Sequence, residues 1–173
     1  GPITDQIIFN QESSGTTALN WELEWVFRDP AAWYHFVAAY DTTQSTTNDR
    51  FKFYVNGVEA TEGWDRNSTP AQADEQAVNN TLVHQFGKGH AGHIPYYDGY
   101  LAEVVFIDGT ALDASSFGEF NSTTGQWIPK DVSGLTFGTN GFLLAFQDSS
   151  ALGDDTSGNG NDFSSSGLAA NDQ

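Results

Sequence analysis

With 173 residues, the chain is long enough for one domain with a sizeable core and short for two. Its 23 acidic residues against 6 basic ones give a formal net charge of −17, which argues against a nucleic-acid groove or electrostatic docking on an anionic membrane. Cys is absent, so disulfides, thiolate metal sites and cysteine nucleophiles are excluded, while 14% aromatic residues argue for a folded chain rather than a disordered one.

The elements then follow in chain order. The opening Gly1-Pro2 reads as a processing scar or the edge of a fragment, with no signal peptide and no apolar run long enough to span a membrane. Trp21 to Phe27 alternates, with Trp21, Leu23, Trp25 and Phe27 on one strand face and Glu22 and Glu24 on the other. Trp33 to Tyr40 is apolar on both faces, as in a central strand. Phe51 to Val55 alternates again and runs into Asn56-Gly57, a strong hairpin signal. The acidic, polar stretch from about Glu59 to Asn80 reads as a long loop. Thr81 to Phe86, Tyr100 to Ile107 and Gly141 to Phe146 read as further strands, with a turn at Asp108-Gly109. Ala114 to Phe120 is expected to form one short helical turn capped by Asp113. Short strands, polar turns and no helical period predict an all-β fold, an antiparallel β-sandwich in a single domain.

Four stretches carry a resemblance. They are Phe27 to Val37 (FRDPAAWYHFV), Phe53 to Gly57 (FYVNG), Tyr96 to Val104 (YYDGYLAEV) and Asp155 to Asn161 (DTSGNGN). In this order, over roughly residues 26 to 163, they resemble the laminin-G-like branch of the concanavalin A-like lectin/glucanase superfamily. The resemblance is greatest to such domains in tail-fibre and other virion proteins of marine bacteriophages. It implies a jelly-roll sandwich at a virion surface or outside the cell. Members of that family have several strands before the position of Trp21, where this chain has about 20 residues. Either the chain is a fragment, or another chain supplies the missing strands to an open edge.

Candidate sites follow from chemistry. Asp155, Ser157 and Asn159, followed by Gly160 and Asn161, match the opening of a Ca²⁺ loop, with oxygen ligands at alternate positions. Laminin-G-like domains often bind Ca²⁺ at the rim, so the resemblance implies the same ion. Ser166 stands where the bidentate acid is expected, and the plain alternative is a solvated Asx-rich turn. Exposed aromatic rings stack on the C–H faces of sugars, so Trp64, Tyr97, Asp98 and His93 are the expected glycan contacts. The alternative is that these rings, with Tyr96, plug the end of the sandwich. Glu22 and Glu24 share a strand face like the acids of glycanases, but no third acid is in phase, and a solvent face explains them. His84, His90 and His93 are close enough in sequence for one metal, yet they lie in a Gly-rich loop without acid partners. His35 and Trp127 read as packed residues. Asn67, Asn79 and Asn121 begin glycosylation triplets that chance explains in so polar a chain. The resulting expectation is a non-catalytic, glycan-binding adhesion domain. The alternatives are a self-assembling fibre or capsid-decoration subunit that contacts other copies or virion proteins, and a glycan hydrolase or lyase.

Overall fold

The computed structural model describes residues 7–13, 16–75, 77–82, 84 and 99–165, without the side chains of 12, 13, 16–18 and 65–67. Among them the regular structure is strand, with two short 3₁₀ turns at Thr47–Arg50 and Ala114–Ser116. The strands in chain order are β1 (Ile7–Ser13), β2 (Thr16–Leu23), β3 (Phe36–Tyr40), β4 (Phe51–Val55), β5 (Val58–Glu59), β6 (Trp64–Ser68), β7 (Val104–Phe106), β8 (Gly118–Phe120), β9 (Trp127–Pro129) and β10 (Phe142–Leu144). All pairings are antiparallel, in the orders β1-β2-β6, β3-β4-β5, β7-β10 and β8-β9. The all-β expectation therefore holds.

The chain forms two compact units. Residues 1–84 with 112–131 make the first, and 85–111 with 132–173 the second.

In the first unit, the β1-β2 register opposes Ile7 to Leu23, Phe9 to Trp21 and Gln11 to Leu19. Opposed residues share a face, so this sheet presents a nearly continuous apolar side. Leu19, Trp21 and Leu23 are fully buried on it. Sheet β3-β4-β5 answers with Phe51, Phe53 and Val55, buried at alternate positions of β4. Rings join the two sheets. Phe9 packs on Phe51 and Phe53 at 4.8 and 5.2 Å between centroids, and Trp21 meets Phe51 edge-on at 4.8 Å. Arg50, one of the few cations, is buried beside this core. Its guanidinium donates to the carbonyls of Gln44, Ser45 and Pro70 and pins two loops.

Three strand expectations are corrected here. The strand around Trp21 is Thr16–Leu23 and ends where Trp25 and Val26 become exposed, and a whole strand, β1, precedes it. The central strand begins at Phe36 rather than Trp33. The stretch expected as one long loop contains β6, which pairs with β2 and places Trp64 opposite Leu23. The Asn56-Gly57 turn stands as expected, with φ of 47° and 79°, the left-handed region that Asn and Gly tolerate. Asp113 does cap its short turn, accepting from the Ser115 N–H, but the chain then enters β8 at Gly118. Neither Thr81 nor Leu82 is in a strand, and the rest of that expected strand, apart from His84, lies outside the described residues.

In the second unit, β7 and β10 pair in register from Phe142–Phe106 to Leu144–Val104. Only three residues of each of the two expected long strands are in the ladder. Phe142 stacks on Phe106 and meets Phe163 edge-on, and Val132, Phe137, Leu143 and Leu152 of this unit are buried.

Candidate functional site: an aromatic shelf and a polar clamp

Trp64, expected as an exposed loop ring, lies in β6 with its ring 5.7 Å from Trp21 and from Phe53. Its indole N–H donates to the Ala60 carbonyl at 2.6 Å. Pairing of β6 with β2 turns the ring inward, so its loop assignment is corrected and its packing role is structural. Tyr97, Asp98 and His93 lie outside the described residues, as do Tyr96 and His90. Glu22 sits on the outer face of β2, across from Ile8 and Asp65, and Glu24 is exposed just beyond the strand end. His84 bonds within its own turn, to Asn79 N–H and Leu82 O.

The face of β3-β4-β5 turned away from the core carries the more informative arrangement. Tyr34 and Phe36 pack with Phe27 on the core side, while His35 between them meets Trp127. There the indole N–H of Trp127 donates to His35 Nδ1 at 2.8 Å, and the two rings lie nearly parallel, 6.0 Å apart. Phe120 meets Trp127 edge-on at 5.0 Å. The indole rests closely on Gly57 and Gly118, where a Cβ on either would overlap the ring. The Asn56 turn fixes the other partner, because its side-chain oxygen accepts from His35 N–H and its own N–H donates to His35 O, both at 2.8 Å. Burial lowers the His35 pKa. On the same face, burial first and then the charges of Glu59 and Asp113 push the Tyr54 hydroxyl up. Phe120 stays 55% exposed and Trp33 66%. Two large rings thus stand in solvent. Neither Trp33 nor Phe120 was expected as a site residue.

The segment expected to bind Ca²⁺ has a different geometry. Asp155 is buried, and its Oδ1 accepts from the N–H groups of Leu143 and Ser157 at 2.8 and 2.9 Å. Oδ2 accepts from the Ser157 hydroxyl and the Asn161 N–H, each at 2.9 Å. Burial alone would raise its pKa, but these donors bring it below the ordinary value. Asn159 Nδ2 donates to Gly138 O and Gly141 O, and Asn161 Nδ2 to Thr139 O and Gly141 O. The two amides thus turn their N–H ends to the backbone. Four donors already surround the one carboxylate of the set, where a cation would need bare oxygen lone pairs. The four residues brought together by this loop do not fit a Ca²⁺ cage in this arrangement. Among the described residues, no group of three or more His, Asp and Glu side chains is placed to hold a metal ion. A recess of about 350 Å³ lies nearby, lined by Phe146, Asp148, Asp154 and Thr156 among others.

No family model, no curated protein and no solved structure matches this chain. Among the described residues, no helix is long and apolar enough to cross a membrane.

Proposed function

We propose that the chain is a non-catalytic adhesion domain of the laminin-G-like, jelly-roll β-sandwich type, acting at a virion surface or outside the cell. It binds glycans on exposed aromatic rings. The observation that carries this reading is the exposure of Trp33 and of Phe120, the latter propped on Trp127. An exposed indole or phenyl ring is costly to hydrate and offers a flat apolar surface to sugar C–H groups. The net charge of −17 favours neutral or cation-bridged polysaccharides over polyanions. No third acid stands in phase with Glu22 and Glu24, which favours binding over hydrolysis in this reading.

A glycan array probed with and without Ca²⁺ tests the proposal, using the wild type, Trp33→Ala and Phe120→Ala. Binding by the wild type that weakens at least tenfold in either variant is expected. An array blank under both conditions overturns it. A second reading, a self-assembling fibre or decoration subunit, is favoured by further exposed apolar side chains at Ile8, Trp25, Val26 and Val58. Solution mass separates the two, since a monomer at high concentration removes the assembly reading.

A further inference from the structure

We propose that the His35–Trp127 hydrogen bond is a pH-sensitive latch, and that protonating His35 releases Trp127 and the β8-β9 hairpin from sheet β3-β4-β5.

An indole N–H can only donate, so His35 Nδ1 must present a lone pair at 2.8 Å. The ring is therefore neutral, with its proton on Nε2. An imidazolium carries protons on both nitrogens and has no acceptor left, so two N–H groups would face each other across the same gap. The His35 backbone cannot retreat, because Asn56 holds both its N–H and its C=O. Trp127 can, because its indole lies on two glycines that send no side chain over it. What moves with Trp127 is a hairpin of three residues per strand, Gly118–Phe120 and Trp127–Pro129, including the half-exposed Phe120 ring.

Among the described residues, strands β3, β4, β5, β8 and β9 carry no histidine; the charged and titratable groups around His35 are others. On β4 they are Lys52, paired with Asp49 at 3.5 Å, and Tyr54, both pushed up from their ordinary values. Next to them stand Glu59 on β5 and Asp113 at the short turn. On the hairpin, Glu119 pairs with Lys130 at 3.6 Å. Burial lowers the His35 pKa from 6.5, so the latch is closed above that value and opens as pH falls below it.

The test follows the Trp127 indole N–H resonance of the full chain by NMR from pH 8 to 5, assigned by its loss in Trp127→Phe. His35 ring nitrogens are followed in the same samples, with the Trp21 indole as a core reference. The Trp127 signal is expected to shift or vanish in step with His35 protonation, and amide exchange in β8-β9 to speed up at least tenfold beyond the pH dependence of the chemical step. The Trp21 signal should persist. His35→Asn keeps an acceptor near the Nδ1 position and cannot titrate, so its Trp127 signal should stay constant over the range. A Trp127 signal that ignores His35 protonation overturns the proposal, as does joint loss of the Trp21 signal. So does a His35→Asn variant that responds to pH like the wild type. If that variant does not fold, the wild-type titration with its Trp21 reference decides alone.

Discussion

The core around Trp21 and the clamp around Asp155 hold backbone segments in place by opposite chemistry. At Trp21, rings from β1, β2, β4 and β6 meet at 4.8 to 6.1 Å, and the stabilisation comes from apolar area removed from water. At Asp155, one carboxylate gathers four donors and two Asn amides reach back to the 138–141 carbonyls, so polar groups close the loop with little apolar area. The first kind of joint is indifferent to pH and tolerant of small changes of angle. The second depends on one charge and on donor directions. A sequence that alternates Asp, Ser and Asn with Gly fits both a cation loop and this self-satisfied clamp. Only the direction of the N–H groups separates them.

The contrast predicts a ranking of substitutions. Trp21→Ala should cost most, about 4 kcal/mol, because it empties the space between the sheets. Urea unfolding of the first unit measures it, and a loss near 1 kcal/mol would mean that the sheets are not joined through this ring. Asp155→Ala strands several donors and should destabilise the second unit by on the order of 3 kcal/mol. The depressed Asp155 pKa gives the sign of the acid response. Its contribution is present above the ordinary value of 3.8 and is lost as pH falls below it, an acid response that Asp155→Ala should lack. Hydrogen exchange at Leu143 reports this locally. Ca²⁺ titration should leave the melting temperature of the wild type unchanged, whereas a clear rise would show that the loop rearranges to admit the ion.

Gly118→Ala is the next smaller effect. A methyl group there displaces Trp127, at a cost of about 1–3 kcal/mol, and should also disturb the His35 titration. Trp33→Ala comes last, within about 0.5 kcal/mol in stability, because the ring is largely in solvent. Its effect should appear in glycan binding instead, which makes it the sharpest separation of shelf from core.

Much of the first unit was legible in the chain. Period-two alternation identified the apolar face of β4 and, at Trp21 and Leu23, the end of that of β2, and Asn56-Gly57 located the turn from β4 into β5. The strand β1 was not identified, because Asn10, Gln11 and Glu12 interrupt its apolar pattern. It becomes a strand by pairing with β2, which hides Gln11 beside Leu19. Trp64 misled for the same reason. Its neighbours Asp65, Arg66 and Asn67 are polar, and only the ladder with β2 shows which way the indole points. The shelf needed tertiary information altogether, since His35 and Trp127 are 92 residues apart.

The sequence by itself determined an acidic, cysteine-free, all-β chain with aromatic cores, because composition and alternation depend on nearest neighbours along the strand. Tertiary structure decided which aromatics are core and which are surface, and whether the Asp155 oxygens face donors or space. Those outcomes depend on partners brought in from distant strands, and no local pattern encodes the direction from which a hydrogen bond arrives.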